Sequence, residues 1–376
     1  EHIKGLYGKT LNLSASQIDR QAECRLSYFL KYGLRLKERK PATVDPAEFG
    51  SYVHSVLEQT GRKVMEMGGF HYVSLEETLD IANFYSQEYI KLHFQQIDSQ
   101  RLHYLFQRNT QELEMVVTEL WQELKDSQFE PMDFELAFGM YDSLDPIPVY
   151  GKKMSALLRG FVDRVDTWKD NGHVYYRVVD YKTGKKDFDY CDIFNGFGLQ
   201  MLLYMFALKE VGSDKLGENA VAAGVQYFPA RAPIVASDGK PGNEEAQAAR
   251  EKLWKRRGLL LADEDVLSAM EPGEKPKRLS YTKKKDGTIS GDLADRQQME
   301  LLKGYIFALL GKMIDDISSG CVDANPYTRG SRHDACAYCP YSAICREHAD
   351  SGRRNYAAMS SDDFWIGIEK EVNGRG

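Results

Sequence analysis

The spacing of hydrophobic and polar positions changes several times along this chain, and each change marks an element. From Leu157 to Lys186 two alternating runs rich in Val, Tyr and Phe flank Asp170-Asn171-Gly172. Asn-Gly between such runs predicts a β-hairpin with a two-residue turn. Helical spacing appears first between Leu11 and Leu34, with Ser14 as N-cap, Cys24 inside the pattern and Gly33 as a stop. A second helix is expected to start with Asp45 as N-cap and Pro46 at its first position, carrying Gly50 and His54 one turn apart. Glycine inside a helix costs roughly 1 kcal/mol against alanine, so close packing is expected beside His54. Leu75 to Leu124 reads as wholly helical, with apolar stripes through Tyr85, Tyr89, Tyr104, Phe106, Val116 and Leu120. Pro131–Phe138 alternates as a strand carrying Glu135, and Ala220–Phe228 is another strand. Helices are expected over Asp192–Leu208, Arg250–Leu261, Asp295–Ile317 and Met359–Asn373.

The hairpin register brings charges together. With Asn171-Gly172 as the turn, Asp170 faces His173, and by the same count Asp163 faces Asp180. Alternation then places Lys182 on the face of Asp180. Directly opposed residues lie about 4.5–5.5 Å apart, where like charges repel. The simplest reason for opposing two carboxylates there is a divalent cation between them, Mg²⁺ or Mn²⁺, which prefers oxygen ligands. Asp163, Asp180 and the Tyr181 backbone carbonyl would hold it, and Glu135 on the preceding strand is a candidate further ligand. The bland alternative is a surface hairpin in which Lys182 makes a cross-strand salt bridge.

Composition sets bounds. Hydrophobic content of 43% over 376 residues indicates a folded globular protein of one large domain or two. No apolar run is long enough to span a bilayer, and no signal-peptide pattern opens the chain. A first residue of Glu1 suggests a piece of something longer. The net charge of −7 supplies no global attraction to nucleic acid, so such contacts would come from local basic clusters, as at Lys252–Arg257 and Lys275–Lys285. Of six cysteines, Cys336, Cys339 and Cys345 are clustered, which reads as a metal site in a reducing compartment. No phosphate-loop motif GxxxxGK[ST] is present.

Gly160-Phe-Val-Asp163 followed by Asp180-Tyr-Lys182 resembles the RecB-like branch of the PD-(D/E)XK nuclease superfamily. Gly50-x3-His54 resembles that branch's GxxxH element, and Gln200-x3-Tyr204 its QxxxY element. The resemblance implies a restriction-endonuclease-like α/β core, with a mixed central sheet flanked by helices. It also implies metal-dependent DNA cleavage, with Asp163, Asp180, Lys182 and His54 catalytic, His54 helping to hold the metal, and Gln200 and Tyr204 at the substrate. On residues alone, a lone His54 reads first as a hydrogen-bonded core histidine, and a polar rim on a core helix is the alternative for Gln200 and Tyr204.

The cysteine spacing alone admits zinc. The branch's AddB-type members resemble this chain from Ser14 to Cys345, and that likeness implies a [4Fe–4S] cluster held by Cys24, Cys336, Cys339 and Cys345. Cys321 is the rival fourth ligand, and Cys191 reads as an ordinary thiol. One domain over 1–376 is then expected, with core elements at 46–67 and 131–230, a helical insertion at 75–124, an irregular basic insertion at 231–292 and a cysteine staple at its periphery. The family further implies a bacterial, cytoplasmic exonuclease acting on single-stranded DNA fed from an unwound duplex. It would lie beside an upstream helicase-like region and an AddA-type helicase–nuclease subunit, resecting double-strand breaks for recombinational repair and cutting the 5′-ended strand. The competing readings are a CRISPR-adaptation nuclease of the same fold and a non-catalytic DNA-binding scaffold.

Overall fold

A computed structural model of the protein describes residues 2–37, 46–94, 100–140, 144–232, 251–273, 275–330, 333–345 and 352–374. The N-cap expected at Asp45, the side chains of Tyr104 and Phe106, and residues 233–250 of the basic insertion lie outside these. The first half of the chain holds α1 His2–Tyr7, β1 Thr10–Leu13, α2 Ala15–Glu23, α3 Arg25–Tyr28, α4 Pro46–Glu66, α5 Leu75–Phe94 and α6 Gln100–Asp126. The sheet region follows: β2 Glu130–Phe138, β3 Ile147–Tyr150, β4 Ser155–Leu158, β5 Gly160–Asp170, β6 His173–Lys182, α7 Tyr190–Phe194, α8 Gln200–Val211, β7 Ala220–Pro229 and β8 Leu260–Leu261.

Six strands pair in the order Leu293–Ala294, β8, β7, β6, β5, β2. β2, β5 and β6 run antiparallel, and β6 pairs β7 in parallel through the crossover that carries α7 and α8. This is the mixed sheet expected. The hairpin turn is also as expected: Asn171 and Gly172 both have positive φ, 47° and 76°, the backbone that a two-residue turn between twisted strands requires.

Strand alternation divides the core into two layers. Val165, Val178 and Val225 face α8 and the long helix Arg296–Ser319. Val179, Tyr181 and Phe228 face α4 and α6, meeting Val53, Leu57, Val117 and Leu120. β6 is therefore covered on both sides, and its near-continuous apolar run reflects that. A smaller sheet, β1-β4-β3, packs at the flank.

Three helix expectations need correction. The first helix is interrupted: Cys24 is extended (φ −166°, ψ 122°) between α2 and α3, and the chain ends in a wider π turn at Phe29–Gly33. Asn325 Oδ1 and the Asp323 carbonyl take the backbone N–H groups of Arg25 and Leu26, so tertiary contacts outweigh local helix propensity there. The Asp192–Leu208 helix splits into α7 and α8, because Gly196 and Gly198 adopt φ of 91° and 62°. Arg250–Leu261 is not one helix. Its last residues form β8, with Leu259, Leu260 and Leu261 buried.

The α4–α6 face of the sheet also carries a buried ion network. Arg164 donates to Asp166 at 2.8 Å and to Glu123 at 2.8 Å. Arg177 donates to Asp166 at 2.8 Å, to Glu123 at 3.1 Å and to Gln226 at 3.1 Å. Arg256, from the basic insertion, donates to Glu123 at 2.7 Å and lies 4.4 Å from the centre of the Phe228 ring. Burial alone would raise the Glu123 pKa, but the guanidiniums of Arg256, Arg164 and Arg177 hold it well below the usual carboxylate range.

Candidate active site

The strand registers bring three carboxylates abreast. β5 and β6 keep one register from Asp170↔His173 to Arg164↔Val179, which sets Asp163 and Asp180 at the next step. β2 and β5 pair Phe134↔Arg164 and Leu136↔Val162, which sets Glu135 beside Asp163. Glu135 has a positive φ of 48°, a left-handed backbone that costs a non-glycine residue on the order of 1–3 kcal/mol. Asp163 and Asp180 are buried, and Asp163 Oδ2 accepts the Tyr181 N–H at 2.6 Å.

His54 closes the row from α4. Its Nε2 hydrogen-bonds the Tyr181 carbonyl at 2.9 Å, while Nδ1 lies 3.5 Å from Asp163 and 3.7 Å from Glu135. Burial would lower the pKa of this imidazole, but hydrogen bonding and charge from Asp163 and Glu135 raise it to about 10. Among the described residues, His54, Glu135 and Asp163 form the one set of three His, Cys, Asp or Glu ligand atoms lying within 4.8 Å of one another. Asp180 stands one strand further on, ion-paired with Lys182. Burial first and the Asp163 charge second push its carboxyl up to about 6, against the pull of Lys182.

The centre lies between two clefts. Gly50, Ser51, His54, Ser55, Glu58, Glu135 and Phe161 line an open one of about 710 Å³. Lys182 lines another, of about 420 Å³, which continues along the loop after β6.

Gln200 opens α8, and Tyr204 stands one turn in. Tyr204 is buried and stacks on Phe138. Its hydroxyl, pushed up to about 12 by burial and by the Asp180 and Asp163 charges, bonds Gln200 and the Phe161 backbone. It also occupies the place of a side chain at Gly160: a Cβ there would lie 1.9 Å from the hydroxyl oxygen. Glycine at the start of the Gly160–Asp163 element is thus required by Tyr204, which packs against the strand that carries Asp163. The close packing expected beside His54 is corrected. Among the described residues a Cβ on Gly50 meets only the Thr183 hydroxyl, at 3.8 Å, and the crowded glycine of α4 is Gly61, where a Cβ would clash with the Phe134 ring.

Asp19 of α2 escaped the sequence reading. Its carboxylate accepts the Gly198 N–H at 3.0 Å, holding the turn that aims α8. Burial pushes its pKa up to about 6, against the Gly198 hydrogen bond and the Lys186 charge. No spacing signal links it to residues so far along the chain.

Cys24, Cys336, Cys339 and Cys345 line one cavity of about 90 Å³, with Tyr341, Ser342 and Arg353 among its other walls. Among the described residues, these cysteines do not form a set of three ligand atoms within 4.8 Å of one another. Cys321 lines a different cavity and contacts Asp323. Cys191 is buried, with its thiol on the Ala357 carbonyl.

The family model of the PD-(D/E)XK nuclease superfamily matches residues 12–346. The chain is 33% identical to a Moorella thermoacetica protein named as the B subunit of an ATP-dependent helicase/deoxyribonuclease, over 97% of this chain and 32% of that one. It is 31% identical to proteins of the same name from a Thermoanaerobacter species and from Clostridium kluyveri, over 99% and 98% of this chain and 33% of each relative. The chain therefore spans about a third of the length of these relatives. With a family match over most of its length, the mixed sheet and the Asp163, Asp180 and Lys182 hairpin, this chain belongs to the PD-(D/E)XK nuclease superfamily.

Proposed function

We propose that this chain is a single nuclease domain that hydrolyses DNA phosphodiesters with a divalent metal, Mg²⁺ or Mn²⁺. The observation that carries the reading is the row Glu135, Asp163, Asp180, with His54 at one end and Lys182 at the other. Three carboxylates face one lysine, so a divalent cation balances the charge when His54 is neutral. Without the cation, and despite burial, the charges of Asp163 and Glu135 raise the His54 pKa, which favours a proton there instead. His54, Asp163, Asp180 and the Tyr181 carbonyl would hold the ion, with Glu135 as the further ligand. The ion supplies Lewis acidity, lowering the pKa of a bound water and polarising a phosphate oxygen. Lys182, beside Asp180, donates to the phosphate where negative charge develops. Gln200, at the start of α8, faces the substrate, while Tyr204 fixes the strand that carries Asp163. Wild-type protein should cut single-stranded DNA with Mg²⁺ and stop in EDTA, and Asp180→Ala should remove the cutting. Wild-type cleavage by pure, folded Asp180→Ala would refute the site.

The shared cavity of Cys24, Cys336, Cys339 and Cys345 supports one metal site, which we read as a [4Fe–4S] cluster with zinc as the alternative occupant. Cys24, Cys336, Cys339 and Cys345 would hold it and tie α2 to the end of the chain. Protein prepared without air should carry iron and absorb broadly in the visible, and Cys24→Ala should lose both. Stoichiometric zinc would make the site a zinc staple. The names of the relatives support a place for this domain in an ATP-dependent helicase/deoxyribonuclease, which we read as a cytoplasmic enzyme that processes broken DNA. There it would sit beside a helicase-like region of its own subunit and a second helicase–nuclease subunit, cutting the 5′-ended strand.

A further inference from the structure

We propose that the cleft beyond Lys182 seats the sugar–phosphate backbone of single-stranded DNA on one side of the scissile phosphate. The segment Lys252–Arg257 of the basic insertion forms its outer wall. This rests on the nuclease reading above and gives the insertion its part in it.

The charge of the cleft runs against that of the chain. Besides Lys182, its lining includes Lys185, Lys186, Arg231, Lys252, Lys255 and Arg257, with Asp187 as the one acid among the described residues, in a chain of net charge −7. Asp187 lies 3.6 Å from Lys185 and 3.8 Å from Arg257. Arg231 lies 3.5 Å from Glu112, and the Lys255 ammonium is 3.4 Å from the Leu279 carbonyl. Among the described residues the lining holds seven cations against one acid; Asp180 beside Lys182 and Glu112 beside Arg231 offset part of that charge, and the excess gives a concave surface of positive potential, which attracts a polyanion. Among the described residues, the cleft on the other side of the centre is lined by Glu58 and Glu135 and by no lysine or arginine. A strand crossing the centre is therefore held from the Lys182 side.

The wall is built rather than solvated. Arg256 points inward to Glu123 and the Trp254 carbonyl, and its N–H bonds the Arg278 carbonyl at 2.7 Å. Tyr227 N–H bonds the Arg257 carbonyl at 2.7 Å. With Arg256 anchored in the buried ion network, its neighbours Lys255 and Arg257 are set into the cleft wall. Phosphate contacts of this kind position a strand without reading its bases.

The test measures binding of a labelled oligothymidylate by fluorescence anisotropy in EDTA, across a salt series. Removing one phosphate contact to a single strand lowers the slope of log K against log salt by about 0.7. Lys252→Gln, Lys255→Gln and Arg257→Gln should each weaken binding and flatten the slope by about that amount, and the triple variant by their sum. Lys91→Gln and Lys312→Gln, exposed on distant helices, should leave both unchanged. Wild-type slopes in the three cleft variants, or equal losses in the distant ones, would overturn the cleft. Melting temperatures keep folding separate, and Lys252, exposed at the surface, can be replaced without disturbing the anchor. Mg²⁺-dependent cleavage by the wild type is scored separately. Normal cutting with unchanged variant slopes refutes the cleft alone, whereas flattened slopes in a protein that never cuts refute the nuclease reading alone.

Discussion

β5 and β6 bury charge twice, at adjoining positions, and the two clusters differ in kind. On the α4–α6 face, Arg164, Arg177 and Arg256 meet Asp166 and Glu123 through hydrogen bonds of 2.7–3.1 Å. Every member has a partner of opposite sign, and Glu123 is held firmly ionised. One step along, Asp180 pairs with Lys182, while Glu135 and Asp163 flank His54 and, despite its burial, raise its pKa to about 10. The Asp180 carboxyl is pushed towards neutrality, and Glu135 sits on a strained backbone. A cluster that balances its own charge holds elements together. A cluster left with excess negative charge is poised for a cation from outside, and only the second is suited to chemistry.

This contrast can be broken most forcefully at Glu123. Glu123→Gln should leave three buried guanidiniums short of charge and cost about 3–5 kcal/mol, read as a lower urea midpoint. Normal stability with lost cleavage would mean that the network serves catalysis. Asp180→Ala should do the reverse: cleavage falls on the order of 10³-fold, because a metal's Lewis-acid contribution is several kcal/mol, while the urea midpoint does not drop. A joint loss of fold and activity would erase the distinction.

The pH dependence of the metal-free protein sharpens it further. Asp180 has a raised folded pKa, about 6 against 3.8. Its contribution to stability is therefore fully present below pH 3.8 and lost as pH rises through 6. His54 acts in the same direction, its contribution present below 6.5 and lost as pH rises through about 10. Asp180→Asn should then stabilise the metal-free protein at pH 8 by roughly 1–3 kcal/mol, and Mg²⁺ should raise the wild-type Tm more at pH 8 than at pH 5. A destabilised Asp180→Asn would show that the carboxylates do not strain the site. His54→Ala should lower activity and metal affinity about 10–100-fold, since other ligands remain; unchanged values for both would leave His54 a core histidine. The smallest effect is expected at Gly160→Ala, where the Tyr204 hydroxyl must move, costing about 1–3 kcal/mol as overpacking. Tyr204→Phe should recover part of that loss in a thermal melt.

Much of the candidate centre was legible because it is local. The Asn171-Gly172 turn sets the β5–β6 register, and with period-two alternation that register alone opposes Asp163 to Asp180 and puts Lys182 beside them. The helix cap expected at Ser14 was legible for the same reason, and Asp295 caps its helix in the same way, each with a glutamine three residues on. The rest needed contacts between distant segments. Gly160 and Tyr204 explain each other only once α8 lies against β5. Asp19 reaches Gly198 across the fold, and Cys24 leaves the helical course because Asp323 and Asn325 claim the N–H groups after it.

The basic insertion shows the same limit from the other side. Lys252–Arg257 reads as a run of surface charge, and nothing in its spacing tells Arg256 from its neighbours. Packing buries Arg256 against Glu123 and Phe228 and leaves Lys255 and Arg257 at the cleft. The sequence by itself determined the strand pairing around the hairpin, since short-range turn geometry and side-chain alternation need no partner. Which charges are neutralised, which glycine is crowded and which cysteines share a cavity depended on the tertiary structure. Electrostatic balance and packing are properties of neighbours in space, and these neighbours lie far apart in the chain.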